Sequence, residues 1–160
     1  MKKILALTGS VLLIVGCFLP VVFSAQNKTM NFFDKDINIP MQNIPDHAML
    51  YAGILLIGAA SIAAILAMMN KTKFIWLLGI ISTGVLAGVY FGFHATLNEM
   101  KEQTNKQFDS LLGGMFKDVT DSLFQSVQLG GAGWYVIGSG ALLLIISSFV
   151  KDYNPSSFTK

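Results

Sequence analysis

Two uncharged runs of 22 and 20 residues, Ala48–Met69 and Phe74–Phe93, flank the polar tetrapeptide Asn70-Lys71-Thr72-Lys73. No other feature restricts the fold so strongly. A hydrocarbon layer of ~30 Å takes about 20 apolar residues of α-helix to cross, and neither run contains Asp, Glu, Lys or Arg. The stretch predicts a helical hairpin that crosses a membrane twice, its short turn making the two helices antiparallel neighbours. Ile4–Ala25 and Gly130–Val150 are apolar runs of the same kind. The expected fold class is an all-α integral membrane protein, one four-helix domain over residues 1–160. Its spans are expected at about 4–25, 48–69, 74–93 and 130–150, with outer loops at 26–47 and 94–129. Composition agrees, since 53% hydrophobic and 12% charged residues lie away from the roughly 45–50% and 25% of soluble chains.

The charges sort by side. All eleven basic residues are Lys, so bidentate clamping of phosphate or carboxylate by a guanidinium is excluded. Lys2, Lys3, Lys71, Lys73, Lys151 and Lys160 fall on one side of the expected membrane, with Asp152 as their only acid. The other side mixes five Lys with eight acids. The positive-inside rule then makes both termini and the short turn cytoplasmic, as expected of a multi-pass protein in a bacterial inner membrane. The net charge of +2 does not single out a partner besides the lipid bilayer, and no nucleic-acid partner is expected.

Residues 1–25 also have the basic start and apolar centre of a secretory signal, but an h-region typically covers 7–15 residues, whereas this run has 22. It reads as an intact span, kinked near its outer end where Pro20 removes a donor and crowds the carbonyl of Gly16. Cys17 is the only cysteine, so no internal disulfide holds the loops. Ile14-Val15-Gly16-Cys17 resembles a lipoprotein signal, yet the run continues apolar after it, and a buried, unmodified Cys17 is expected. In the first outer loop Phe32 and Phe33 are expected to rest on the membrane interface, and residues 31–37, with Pro40 and Pro45, to form a short ordered loop or a strand pair.

In lipid, helices associate through close backbone approach at small residues. Ala59, Ala63 and Ala67 in span 2, and Gly84, Gly88 and Gly92 in span 3, offer such faces at four-residue spacing, for contact within the fold or between copies. The second outer loop carries Phe108, Leu111, Leu112, Met115, Phe116, Val119, Leu123 and Val127 at three- and four-residue steps, opposite Lys117, Asp121 and Gln125. This predicts an amphipathic extracytoplasmic helix, weakened at Gly113-Gly114, whose apolar stripe needs a cover. Trp134 and Tyr135 mark the outer interface where span 4 begins.

Phe18-Leu19-Pro20 closing span 1, a polar outer loop, a Lys-containing hairpin turn, and Gly133-Trp134-Tyr135 opening a Gly/Leu-rich span 4 together resemble small uncharacterised four-span bacterial inner-membrane proteins. The resemblance implies bacterial origin and topology, and it transfers no catalytic residue.

No span contains an ionisable acid or base, the usual mark of proton relays and coupled transport. Walker, HExxH, GxSxG and paired-Cys motifs are lacking, so neither enzymatic activity nor a cofactor is expected. His47 and His94 are the only histidines, and the hairpin sets them at one outer level as a candidate metal pair. Two functions remain. One is a non-catalytic membrane subunit or scaffold that binds a membrane or envelope protein through its outer loops and small-residue faces. The other is a small oligomeric channel or carrier with a pathway between spans.

Overall fold

The computed structural model describes residues 1–23, 29–33, 48–112 and 128–150. They are mostly helical and form four helices: α1 (Lys2–Phe18), α2 (Ala48–Met68), α3 (Ile75–Leu112) and α4 (Ala132–Phe149). Three of these, α2, α3 and α4, are long and apolar enough to cross a membrane. Large apolar side chains point outward on all four, among them Val11, Ile54, Ile80 and Leu142. Leu13, Leu56, Ile75, Ile137 and Leu144 fill the centre and are wholly buried.

The first helix is shorter than its apolar run. It ends at Phe18, not at Ala25, because a residue before proline is pushed out of helical conformation, and Leu19 is extended at φ −84° and ψ 155°. Pro20 therefore stops the helix where a kink was expected. Beyond it the chain enters a three-stranded antiparallel sheet of β1 (Val22–Phe23), β2 (Thr29–Met30) and β3 (Gln128–Leu129), in the order β2-β1-β3. Val22 pairs with Met30 on one side and Leu129 on the other. The strand pair thus lies ahead of residues 31–37, and a third strand from just before α4 joins it. Residues 34–47 lie outside the described residues.

The backbone around Pro20 is clamped. The Val21 amide donates to the Met30 carbonyl (2.8 Å), the Gly130 amide to the Val21 carbonyl (3.3 Å), and the Gly133 amide to the Pro20 carbonyl (2.9 Å). Only glycine permits this approach. A Cβ on Gly131 would overlap the Pro20 carbonyl, and one on Gly133 would lie 2.7 Å from the Leu19 carbonyl. Phe18-Leu19-Pro20 and Gly133-Trp134-Tyr135, far apart in sequence, are thus two sides of one contact.

Helix α1 packs most extensively on α4, and α2 touches α3 least among the four adjacent pairs. The α1–α4 seam is built on glycine. A Cβ on Gly140 would lie 2.8 Å from the Gly9 carbonyl, and one on Gly9 2.9 Å from the Gly140 carbonyl; Gly16 and Gly133 face each other in the same way. The partners are seven residues apart on each helix, two turns of an antiparallel pair, so backbone meets backbone twice along one face. Gly79 serves α3 against α4, its Cβ position 2.6 Å from the Ile145 side chain.

The hairpin turn has its own logic. Asn70 takes a left-handed φ of 58°, with its amide donating to the Ala67 carbonyl (3.2 Å) and the Lys71 amide to the Leu66 carbonyl (2.9 Å). This pair of bonds closes a helix on a left-handed residue, a position open to Asn after Gly. A single 3₁₀ turn, Thr72–Phe74, then starts α3 and touches both α1 and α4.

The third helix does not stop at Phe93, where its span is expected to end. Helix α3 runs unbroken for 38 residues to Leu112, because nothing between Phe93 and Leu112 is Gly or Pro and good helix formers such as Glu99, Lys101, Glu102 and Lys106 occupy the stretch. Lys106 donates to Glu102 across one turn at 2.7 Å. At 1.5 Å per residue, the part beyond Phe93 extends ~28 Å further than the expected span.

Candidate interaction surfaces

Ala59, Ala63 and Ala67 are buried in the core, as are Ala52, Leu56 and Ala60 of the same helix. The glycine run of α3, for which contact within the fold or between copies is expected, makes no close contact within this chain. Gly84, Gly88 and Gly92 are exposed, and a Cβ on any of them would meet no atom within 4 Å. The faces of α3 that are buried carry Ile75, Ser82, Leu86 and Phe93 instead, while Gly88 and Gly92 border an open gap toward α2.

Those glycines leave space. The 3₁₀ turn joins α2 and α3 at one end, while toward the sheet an open groove of about 340 Å³ separates them. Ala48, Tyr51, Ala52 and Leu55 form one wall; Val85, Gly88, Gly92 and Thr96 form the other. The lining is nearly all apolar, and the Thr96 hydroxyl donates to the Gly92 carbonyl of its own helix (2.9 Å). The groove thus offers packing surface and little polar recognition.

A wider, shallower cleft of about 530 Å³ lies between α3 and α4, with Tyr90, Phe91, Trp134 and Tyr135 at its sheet end. Tyr90 stands 4.5 Å from the His94 ring and 6.4 Å from that of Trp134, centroid to centroid. Trp134 is half-buried and Tyr135 is 70% exposed. Amphipathic rings gathered at one level suit a membrane–water boundary. Phe32 does not join them as expected. Phe32 is 1% exposed and fits over Gly53, where an added Cβ would lie 2.9 Å from the Phe32 Cβ. Phe33 stacks on Phe18 at 5.2 Å, and its amide is held by the Asn31 side chain at 2.7 Å. The missing side chain of Gly53 leaves the room that Phe32 and Phe33 occupy.

Charge is confined to the ends. The buried polar side chains among the described residues are Ser10, Ser82 and Ser147, and each hydroxyl donates to a carbonyl of its own helix at 2.7–2.9 Å. Cys17 is wholly buried. On the α3 extension, the hydrogen bond and charge of Lys106 hold the exposed Glu102 carboxyl below its ordinary pKa. Among the described residues no three metal-ligating side chains come together. His94 is exposed against Tyr90, and its expected partner His47 lies outside the described residues. Of the expected partner surface, Phe108, Leu111 and Leu112 lie in the last turns of α3. Met115, Phe116, Val119, Leu123 and Val127 lie outside the described residues.

Sequence reasoning missed the paired glycines of the α1–α4 seam and the glycine clamp on Pro20. Their spacing of seven was available as a signal, but only knowledge of which helices meet gives it meaning. No family model, curated protein or solved structure matches this chain, so its function is read from these surfaces alone.

Proposed function

We propose that this protein is a non-catalytic integral membrane subunit or scaffold that binds a membrane or envelope protein on the outer side of a bacterial inner membrane. The observation that carries the reading is the continuity of α3, which runs from the hairpin turn past the apolar span into a charged extension without a break. A stiff rod of this kind holds the apolar stripe that begins at Phe108 at a fixed distance from the bilayer, and a partner that docks there is positioned relative to the spans. The open groove between α2 and α3 supplies a second, membrane-level contact. In this reading α1 is a fourth span, supported by the outward Ile4, Val11, Val15 and Phe18, and both termini lie in the cytoplasm on the side of Lys2, Lys3, Lys71 and Lys73. In the same reading the apolar residues spaced from Phe108 to Val127 in the sequence meet the partner. Serine hydroxyls bonded within their own helices are the only polar side chains buried among the described residues, which weighs against a hydrophilic pathway between the spans.

The test is co-purification in mild detergent of the wild type and of a variant with Leu112, Phe116 and Val119 all changed to Ser. A stoichiometric partner, lost in a variant whose spans remain folded, supports the subunit. A partner-free homo-oligomer that conducts ions in liposomes replaces it with the channel reading.

A further inference from the structure

We infer that the outer half of α3 rocks about a hinge at residues 79–84, between the open position of this structure and one closed onto α2, and that the motion swings the charged extension sideways. As a link to a partner on that extension it rests on the function proposed above; the motion itself does not.

The two halves of α3 are held differently. At the inner end the 3₁₀ turn touches α1, α2 and α4, Ile75 is wholly buried, and a Cβ on Gly79 would lie 2.6 Å from the Ile145 side chain and 3.1 Å from the Ala141 carbonyl. From Ser82 to Phe93 the buried side chains are Ser82, Leu86 and Phe93, which fall on one line along a helix of 3.6 residues per turn. Space flanks that line on both sides. The groove toward α2 is walled by Val85, Gly88 and Gly92, and the cleft toward α4 by Thr83, Ala87 and Tyr90. A helix held along a single line is free to tilt to either side of it.

Tight support gives way to loose where the helix bends most easily. The Ser82 hydroxyl donates to the Leu78 carbonyl and the Thr83 hydroxyl to the Gly79 carbonyl, both at 2.9 Å. Hydroxyls bonded back to the fourth carbonyl before them compete with the helical amide and often bend a helix, and glycine beside serine is a common site of kinks. Gly79 and Gly84 bracket this pair. Closure goes toward α2 because of what lines each opening. The rings of Tyr90, Phe91, Trp134 and Tyr135 crowd the α4 side, whereas Ala48, Ala52, Gly88 and Gly92 line the α2 side. Small residues let backbones approach, which is how helices associate in lipid, and the Thr96 hydroxyl in the groove is already bonded within its own helix. Mid-helix glycines weaken a helix, and no described atom lies within 4 Å of a Cβ at Gly88 or Gly92; the closed position is where their missing side chains are used. Along the axis Tyr90 lies ~16 Å and Leu112 ~50 Å from Gly79, so a shift of ~3 Å at the groove moves the tip sideways by ~9 Å.

The experiment is disulfide trapping of the full chain in a Cys17→Ser background. Ala52→Cys and Gly92→Cys line the groove nearly equidistant in sequence from the hairpin turn, and they should form an intramolecular disulfide under mild oxidation. The open position forbids it, since a Cβ at Gly92 meets no described atom within 4 Å and bridged Cβ atoms lie about 3.8 Å apart. Gly88→Leu fills the groove and should slow trapping about tenfold, a cost in the range of overpacking; Ser82→Ala with Thr83→Ala stiffens the hinge and should slow it several-fold. Separately, nitroxides at Lys106→Cys and Ala132→Cys, both exposed, should show two separations a few ångströms apart, of which Gly88→Leu retains only the shorter. Should the first cysteine pair fail to fold, Leu55→Cys with Gly88→Cys, blocked by Gly92→Leu, gives the same reading. Absence of the disulfide, a disulfide formed only between chains, rates unchanged by the groove and hinge variants, or one nitroxide separation common to wild type and Gly88→Leu would each overturn the hinge. No partner is present in these measurements, so they fail independently of the partner experiment.

Discussion

Gly140→Ala and Gly88→Ala add the same methyl group to two membrane-level glycines, and the structure predicts opposite outcomes. At Gly140 the new Cβ sits 2.8 Å from the Gly9 carbonyl and 2.9 Å from the Leu13 amide, both backbone atoms, where ordinary contact begins near 3.4 Å. Helix α1 must therefore retreat from α4 by a little over half an ångström. A gap of that size forfeits about a quarter of the attraction of each facing atom pair, and a buried Leu makes some 40–60 contacts of ~0.1–0.2 kcal/mol each. With half of its contacts facing α4, Leu13 loses about 1 kcal/mol, and Ile137 and Leu144 on the other side lose comparable amounts. Removing a mid-helix glycine returns about 1 kcal/mol. The net destabilisation of Gly140→Ala is about 1–2 kcal/mol, within the range found for overpacked cores. Gly88→Ala meets nothing within 4 Å, keeps the whole propensity gain of about 1 kcal/mol, and is expected to melt at or above wild type. The assay is thermal unfolding in one detergent, followed by tryptophan fluorescence and size exclusion. Unchanged melting of Gly140→Ala together with a loss for Gly88→Ala would refute the placement of the seam. A loss for Gly88→Ala confined to a dimer fraction would instead locate this face between copies.

Three further outcomes follow from particular residues. Asn70→Gly should raise stability by about 0.5–1 kcal/mol, because Asn70 holds a left-handed φ of 58° that glycine adopts without a Cβ clash; a Val there should lower it, and detergent melts of the pair check the sign. Phe32→Ala empties a wholly buried site and should cost about 3–5 kcal/mol, read as lower melting and faster proteolysis ahead of α2; wild-type behaviour would show that the Phe32–Gly53 contact contributes nothing. In a Cys17→Ser background, single cysteines at Lys71 and Lys106 should react with an impermeant maleimide from opposite sides of the membrane, the two positions lying ~50 Å apart along the hairpin and α3, and labelling of both from one side would contradict the topology.

The sheet end of the bundle is held together without a disulfide. The central strand β1 follows α1 directly, and β3 leads directly into α4, so the sheet and the glycine seam are one continuous α1–α4 contact. Substitution at Gly131 or Gly133 is therefore expected to loosen the sheet and the bundle together.

Local pattern alone determined a good deal. The long uncharged runs carry their own reason to be helices, since a backbone removed from water must satisfy its polar groups internally. The starts of α2 and α3 and the limits of α4 fall within a residue or two of the runs that predict them. The gathering of Lys at one end was likewise readable from position along the chain. Where each element stops was less so: hydropathy does not register that Pro20 stops a helix, or that a polar stretch of good helix formers continues one to Leu112. What only the tertiary structure decided was which small residues are in contact. Gly84, Gly88 and Gly92 have the more conspicuous four-residue spacing, yet a Cβ on any of them would touch nothing, while Gly9, Gly16, Gly133 and Gly140, seven apart, carry the closest helix contact. Periodicity reports which residues share a face of one helix. Which face meets which is fixed by the antiparallel register of α1 on α4 and by the sheet that joins their ends, both of them pairings between residues more than a hundred positions apart.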